Sequence, residues 1–344
     1  MQMKTTLVRQ VALTSILACV AINAHADVDT TFYGSLRLGV DYVDAGRDLD
    51  AVNGRDFLSR VGAKAETEIT DTVKGIAVIE YGMVGSDGIN FEQNDRPGFR
   101  QLYVGLDTSM GLFTFGSQTL LFHKYVRSGY FSDANDTLRQ GAIRDDDLLQ
   151  WVLSKDNFQI AASAQFEGQD GDSVDQYQIA GQYALAALKL QGAWVADTQG
   201  EQQGNLYGLR GWVDVTEQIT LSAFYHLAEA DFDLYSGNAS GNLVVQNEEG
   251  SKIGGVTKCN GEKRYTAGLY GRWSSGANKV HARYGINDCE LSGDVQSYKV
   301  EYVRNLNKNM QMWTAYELLD SERSRRPVTG DDMSAWQVGV RYDF

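Results

Sequence analysis

The chain has 344 residues, 43% of them hydrophobic, with 36 Gly, 18 Tyr, only 2 Pro, and 45 Asp plus Glu against 31 Lys plus Arg for a formal charge of −14. That much apolar content excludes a disordered chain, the acidic balance argues against a nucleic-acid partner, and three Cys with no Gly-X-Y period exclude disulfide-dense and collagenous classes. Only one stretch is apolar enough to suggest a membrane helix, and it lies at the N-terminus.

Met1 to Ala26 carries Lys4 and Arg9, then an apolar run from Val11 to Ile22, then Ala24-His25-Ala26. A short basic region, an apolar run and small residues at the A-x-A spacing are the parts of a secretory signal. The run falls short of the roughly 20 residues that a spanning helix needs. Cleavage is expected after Ala26, with a lipoprotein signal ending at Cys19 as the competing reading. Residues 1–26 hold two cations and no acid, so the mature domain, 27–344, carries a charge of −16. Export places Cys259 and Cys289 in an oxidising compartment, where they are expected to form a disulfide.

From Phe32 onward the pattern has period two. In Leu36-Arg37-Leu38-Gly39-Val40-Asp41-Tyr42, even positions are apolar and odd positions are polar or Gly, the signature of a half-buried strand. The same alternation runs through Phe158 to Phe166, Tyr177 to Tyr183, Tyr265 to Trp273 and Trp336 to Phe344. Sixteen such strands are predicted, at 30–43, 57–69, 73–84, 99–107, 111–118, 147–154, 157–166, 175–184, 187–197, 205–214, 218–230, 263–273, 278–286, 296–305, 310–319 and 334–344.

The connections alternate in length. Those after even-numbered strands are short, such as Thr70-Asp71-Thr72 and Lys155-Asp156. Those after odd-numbered strands are long and charged, such as Asp44 to Arg55, Gln118 to Ile143 and Asp231 to Glu262. A soluble sandwich has no reason to gather its short turns at one end, whereas an outer-membrane barrel does, with short periplasmic turns and long outer loops. Both Cys259 and Cys289 then fall on the outer side. Hydrocarbon offers no water to backbone polar groups, so the sheet must close on itself. Apolar residues should face lipid and polar ones a lumen, and Phe32, Tyr42, Tyr81, Tyr177, Tyr183, Trp273, Tyr302, Trp336 and Phe344 suit the interfacial aromatic girdles. A barrel of sixteen strands is too wide for side chains to fill, which leaves an aqueous channel.

Several strings, in order and across the whole mature chain, resemble the general porins of Gram-negative outer membranes. Phe32-Tyr33-Gly34-Ser35-Leu36-Arg37 is similar to the family's opening strand, and Ser59 to Ile69 resembles its "RLGFKGE" strand, followed by Ile79-Glu80-Tyr81. Arg100 to Leu106 and Gly111 to Gly116 resemble its next pair, and the chain ends in an alternating strand closing on Phe344. The resemblance implies a homotrimer in contact with outer-membrane lipid and lipopolysaccharide, passing ions and small hydrophilic solutes. It also implies a third loop folded into the barrel, with loop acids facing a basic wall.

The matching loop is Gln118 to Ile143; it holds Asp133 and Asp136 and lacks the family's "PEFGG" string. By position in the matching motifs, Arg60, Arg100 and more loosely Arg144 carry over as basic-wall residues. Arg37 follows from alternation alone, because it faces away from Leu36 and Leu38. A strand arginine facing lipid near mid-membrane costs about 2–4 kcal/mol, so these side chains should point inward, where Glu66 and Glu80 are possible lumen partners. The acidic total suggests that cations are favoured.

No P-loop, GxSxG, HExxH or paired CxxC occurs, so no enzyme activity, cofactor or metal is expected. His226 and His281 fall at strand positions that should face the lumen. The sequence therefore reads as a passive porin, with an outer-membrane adhesin or receptor, or a barrel hydrolase, as the alternative.

Overall fold

Each segment with the two-residue period is a strand in the computed structural model. The described residues are 28–44, 50–83, 98–127, 130–132, 140–166, 174–198, 203–232, 261–291, 293–321 and 332–344. The strands in chain order are β1 Val28–Asp44, β2 Asp50–Asp56, β3 Arg60–Thr70, β4 Val73–Gly82, β5 Gly98–Thr108, β6 Gly111–Thr119, β7 Arg144–Lys155, β8 Phe158–Gln165 and β9 Gln176–Leu185. They continue as β10 Leu188–Asp197, β11 Asn205–Asp214, β12 Ile219–Ala228, β13 Arg264–Ser275, β14 Asn278–Cys289, β15 Gly293–Asn305, β16 Met310–Ser321 and β17 Asp332–Asp343. Neighbours pair antiparallel in chain order, and β17 pairs with β1, from Ser35 opposite Asp343 to Asp44 opposite Ser334. The terminal residue finishes the seam: Phe344 N donates to Gly34 O at 3.1 Å and Gly34 N to Phe344 O at 2.9 Å.

Seventeen strands make sixteen staves, because β2 and β3 share one. The first half of β1 pairs with β3 and the second half with β2. Between them, Leu58 takes a left-handed backbone with φ of 72°, and Phe57 turns inside to pack edge-on against Trp313, ring centroids 5.4 Å apart. Asp50–Asp56 was expected to be loop, since Asp50-Ala51-Val52-Asn53-Gly54-Arg55-Asp56 lacks apolar alternation. The segment is a strand because it pairs along β1, from Asp50 opposite Asp44 to Asp56 opposite Leu38, and its buried Arg55 is ion-paired with Asp41. β14 and β15 also run further at their outer ends than the alternation implied.

Exposure is inverted relative to a soluble protein. On β1, Leu36, Leu38 and Val40 are 37–50% exposed, while Ser35, Arg37 and Asp41 are no more than 5% exposed. The nine aromatics expected in girdles are all exposed. Tyr42, Tyr81, Tyr177 and Trp336 lie toward the long-loop end of their strands, and Phe32, Tyr183, Trp273, Tyr302 and Phe344 toward the short-turn end. The interior is polar: Gln118, Gln150, Gln178, Thr266, Lys299 and Glu301 are all buried.

The lipid face gives a direct test. Leu209, at the middle of β11 and 65% exposed, is expected on replacement by Arg to lose about 2–4 kcal/mol of folding stability in lipid vesicles. Urea titration of the vesicle-inserted protein, followed by tryptophan fluorescence, measures the loss. An unchanged midpoint would mean that this face does not contact hydrocarbon.

Candidate functional site: the lumen wall and the segment that crosses it

Inward positions on five neighbouring strands gather a cluster of arginines around one acid. Glu80, near the long-loop end of β4 and 4% exposed, accepts a hydrogen bond from Arg100 Nε at 2.8 Å, and Arg60 Nε lies 3.5 Å from its other oxygen. Tyr33 OH donates to that same oxygen at 3.3 Å. A buried carboxylate is tolerable because two guanidinium groups and a phenol compensate its lost hydration. Arg100 reaches this position through a β-bulge: Glu80 pairs with Gln101 and Tyr81 with Phe99, so Arg100 is the extra residue. A bulge re-aims a side chain that strict alternation would send to the other face.

Arg37, on β1, donates from Nε to Ser35 Oγ at 2.9 Å and from its backbone N to Ser59 Oγ at 2.8 Å. Arg341 stands directly across the seam on β17 and is ion-paired with Asp343 at 2.8 Å. Arg37 is within electrostatic range of Arg60, Arg341, Arg100 and Asp343. Arg144, the first residue of β7 and opposite Thr119, is half-buried and lies within electrostatic range of Glu80. Glu66 shares the inward face of β3 but lies six residues from Arg60, about 20 Å along the strand, and pairs with Lys64 near the short-turn end. It is therefore separate from the cluster.

The chain leaving β6 lies against the inside of the wall. Leu120 N donates to Ile143 O at 3.1 Å, closing the base of the excursion. A short helical turn, His123–Arg127, follows. Leu121, Phe122, Tyr125 and Val126 pack on the inward-facing Ala161, Ala180, Val195 and Leu206. Gly208 permits the approach, since a Cβ there would lie 2.5 Å from Val126 Cγ2. Glutamines of the wall take up polar groups: Phe122 N donates to Gln178 at 2.9 Å, Tyr125 OH to Gln159 at 2.6 Å and Lys124 Nζ to Gln150 at 2.8 Å.

Tyr130, Phe131 and Ser132 then reach β11 to β15. The Tyr130 ring stacks on Tyr270 with centroids 4.1 Å apart, and Arg210 sits 4.2 Å from the centroids of both Tyr130 and Trp212. Ser132 donates from its backbone N to Glu301 Oε1 at 2.8 Å. Phe131 carries Lys299 4.7 Å from its ring centroid. On the return, Gln140 donates to Thr266 Oγ1 at 2.7 Å. His226 and His281 do face inward, 2% and 8% exposed, and both meet the crossing segment, at Val126 O (3.1 Å) and Tyr130 O (3.2 Å).

Asp133, Asp136 and Cys259 lie outside the described residues; Cys289 is buried and disulfide-bonded. Sequence reasoning missed Arg341, although it faces away from Val338, Val340 and Tyr342 by the same alternation that picked out Arg37. It also missed the contacts of Arg210, Trp212, Tyr270 and Glu301, which no local pattern signals because they join residues over 60 positions from the crossing segment.

A sequence model of Gram-negative porins matches residues 12–324. A search of curated proteins finds no match. Among solved structures, the anion-selective porin from Comamonas acidovorans superposes with a TM-score of 0.68 at 17% identity, over 92% of this chain and 100% of that one. Salmonella typhi OmpF, in a complex with daunomycin, gives 0.69 at 17% over 92% and 97%. The outer membrane channel DcaP of Acinetobacter baumannii gives 0.65 at 15% over 92% and 97%. At such identities the likeness is one of fold, while the sequence model spans most of the chain: this protein belongs to the Gram-negative porin family.

Proposed function

We propose that the protein is a passive outer-membrane channel for ions and small hydrophilic solutes, constricted between the arginine wall and the segment crossing the lumen. The observation that carries this reading is the pairing of the two: one wall holds Arg37, Arg60, Arg100 and Arg341 beside Glu80 and Asp343, and the crossing segment is fastened to β7 through β15. Water ordered between a cationic wall and a fixed segment filters solutes by size and polarity. Arg144 extends the basic wall, and Asp133 and Asp136 supply acids to the crossing segment. His226 and His281 serve to hold that segment rather than to catalyse.

The rest of the reading follows export. The signal is removed after Ala26, and Cys289 pairs with Cys259 among the outer loops. The channel assembles as a homotrimer in contact with lipid and lipopolysaccharide. Its early strands support this, since Ala63, Ala65 and Ala77 line an apolar hollow of about 510 Å³ on the lipid-facing side, where a second copy could pack closely.

Two measurements test the constriction. Wild-type protein in planar bilayers is expected to open in large ohmic steps, grouped in threes. Arg60→Ala with Arg100→Ala, made together with Glu80→Gln so that no uncompensated buried acid remains, is expected to widen the step and shift the reversal potential toward cations. Unchanged step and potential would place the cluster away from the narrowest point. Tyr130→Ala removes the stack on Tyr270 and the contact with Arg210, together worth roughly 1–3 kcal/mol, and is expected to add fast flicker to the open level. Open-level noise equal to wild type would show that this contact does not hold the segment.

A further inference from the structure

The lipid-facing side of β10 to β15 holds a larger apolar hollow, of about 720 Å³, on another side of the barrel from the one lined by Ala63, Ala65 and Ala77. Its floor is Gly211, Ala223, Gly271 and Ala282, with Leu221, Leu269 and Tyr298 standing around it. Gly271, Ala282 and Val300 stand opposite one another across β13, β14 and β15. Along the outward positions from this row toward the short turns, Val280 stands opposite Tyr302, and then Asn278 opposite Arg304. Asn278 Oδ1 accepts from Tyr302 OH at 2.7 Å and from Arg304 Nη1 at 3.1 Å. Arg304 is exposed and, among the described residues, makes no ion pair. Trp273 flanks Val280 from β13, and Lys308 is exposed in the turn that follows β15. The long-loop ends of the neighbouring strands carry the opposite charge on the lipid-facing side: Glu229 lies beside the exposed Tyr207, and Asp288 stands opposite Asp294.

Resting on the outer-membrane placement in the reading above, we propose that this face retains one anionic phospholipid of the periplasmic leaflet, its acyl chain in the hollow and its phosphate on Arg304. Hydrocarbon gives no hydrophobic drive for one apolar surface to meet another, so packing and polar contacts decide what stays bound. An acyl chain lying in the hollow touches the wall on several sides at once and gains dispersion contacts that a smooth wall does not offer. Four residues along β15, about 13 Å, separate Val300 from Arg304. Along that path a chain in the hollow reaches water at Arg304, where Trp273 and Tyr302 mark the headgroup level. Asn278 fixes Arg304 and Tyr302 in one geometry and leaves the other guanidinium N–H groups to a phosphate. Lys308 adds a second cation for a headgroup of net negative charge. Glu229, Asp288 and Asp294 repel the same headgroup at the long-loop end, which sets the leaflet.

Native mass spectrometry of the full protein, reloaded with lipid in detergent, tests this. Wild type is expected to retain dioleoylphosphatidylglycerol at least fivefold better than dioleoylphosphatidylcholine. Arg304→Gln is expected to abolish that preference, and Gly271→Leu to lower retention of both lipids at least fivefold. A Cβ at Gly271 meets only Leu221 Cδ2, at 3.4 Å, so the new side chain fills the hollow without straining the sheet. If Gly271→Leu fails to assemble, Ala282→Leu serves. Lys155→Gln, at the end of β7, is expected to match wild type. Millimolar inorganic phosphate is expected to leave retention unchanged, because chain and headgroup bind together; release of the lipid by phosphate alone would overturn the site. So would equal retention of the two lipids by wild type, or equal retention of phosphatidylglycerol by wild type, Arg304→Gln and Gly271→Leu. A changed subunit number in Gly271→Leu, with lipid retained as in wild type, would give the hollow to a second copy and also overturn it. Both variants are expected to conduct as wild type does. A wild type that retains lipid with this selectivity yet passes no current would support the lipid site and overturn the channel reading instead.

Discussion

A backbone inside hydrocarbon has no partner for its N–H and C=O groups except another strand, and each unpaired group costs several kcal/mol. The seam between β1 and β17 answers that constraint: their pairing runs from Ser35 opposite Asp343 to Asp44 opposite Ser334, and Phe344 extends it to Gly34. Closure fixes the rest. Sixteen staves leave an interior too wide for wall side chains alone, so either water or chain must occupy it. Here chain does so in part, because the excursion after β6 brings its own apolar face, Leu121 to Val126, to the inward-facing Leu206 and Val195.

Once the interior is wet, charges can be placed there that lipid would refuse. The two sides of the lumen use their cations differently. On β11, Arg210 lies between Tyr130 and Trp212, spending its charge on ring faces that hold the crossing segment. On β14 and β15, Arg283 and Lys299 share Glu317 beneath Phe131. Around the seam, by contrast, no ring among the described residues covers Arg37, Arg60, Arg100 or Arg341, and one acid on β4 serves two of them. Cations used as fasteners lie where the described part of the segment touches the wall.

The barrel was legible in the sequence because lipid enforces alternation more strictly than a soluble core does. Leu36 to Tyr42 could be read residue by residue, and the alternating loop lengths gave the orientation. Legibility failed where that pressure stops. Asp50–Asp56 is a strand through its pairing with β1, and with only Ala51 and Val52 apolar nothing in its pattern marked it. Arg100 was assigned inward by its place in a motif, yet period two alone would have set it opposite to Gln101; the bulge beside Tyr81 lets both point in. Glu80 was legible as an inward acid, but not as the bridge between Arg60 and Arg100, because that depends on register between three strands. The anchoring of Tyr130 to Tyr270 joins residues far apart in the chain, and the missing "PEFGG" string gave no substitute signal.

Charge shows the same division between what sums and what is placed. A count over the whole chain gives −14, a quantity that bears on solubility and long-range steering. The wall near the seam has its own balance: Arg37, Arg60, Arg100 and Arg341 against Glu80 and Asp343. Glu80 lowers the mutual repulsion of Arg60 and Arg100 enough for both to sit at one height, and Asp343 does so for Arg341. Arg37 gains only the Ser35 hydroxyl, so the excess positive charge is concentrated at the seam itself. Closure of the barrel brings the first and last strands together, and with them two arginines some 300 residues apart, so the constraint that makes the sheet stable also sets two cations face to face.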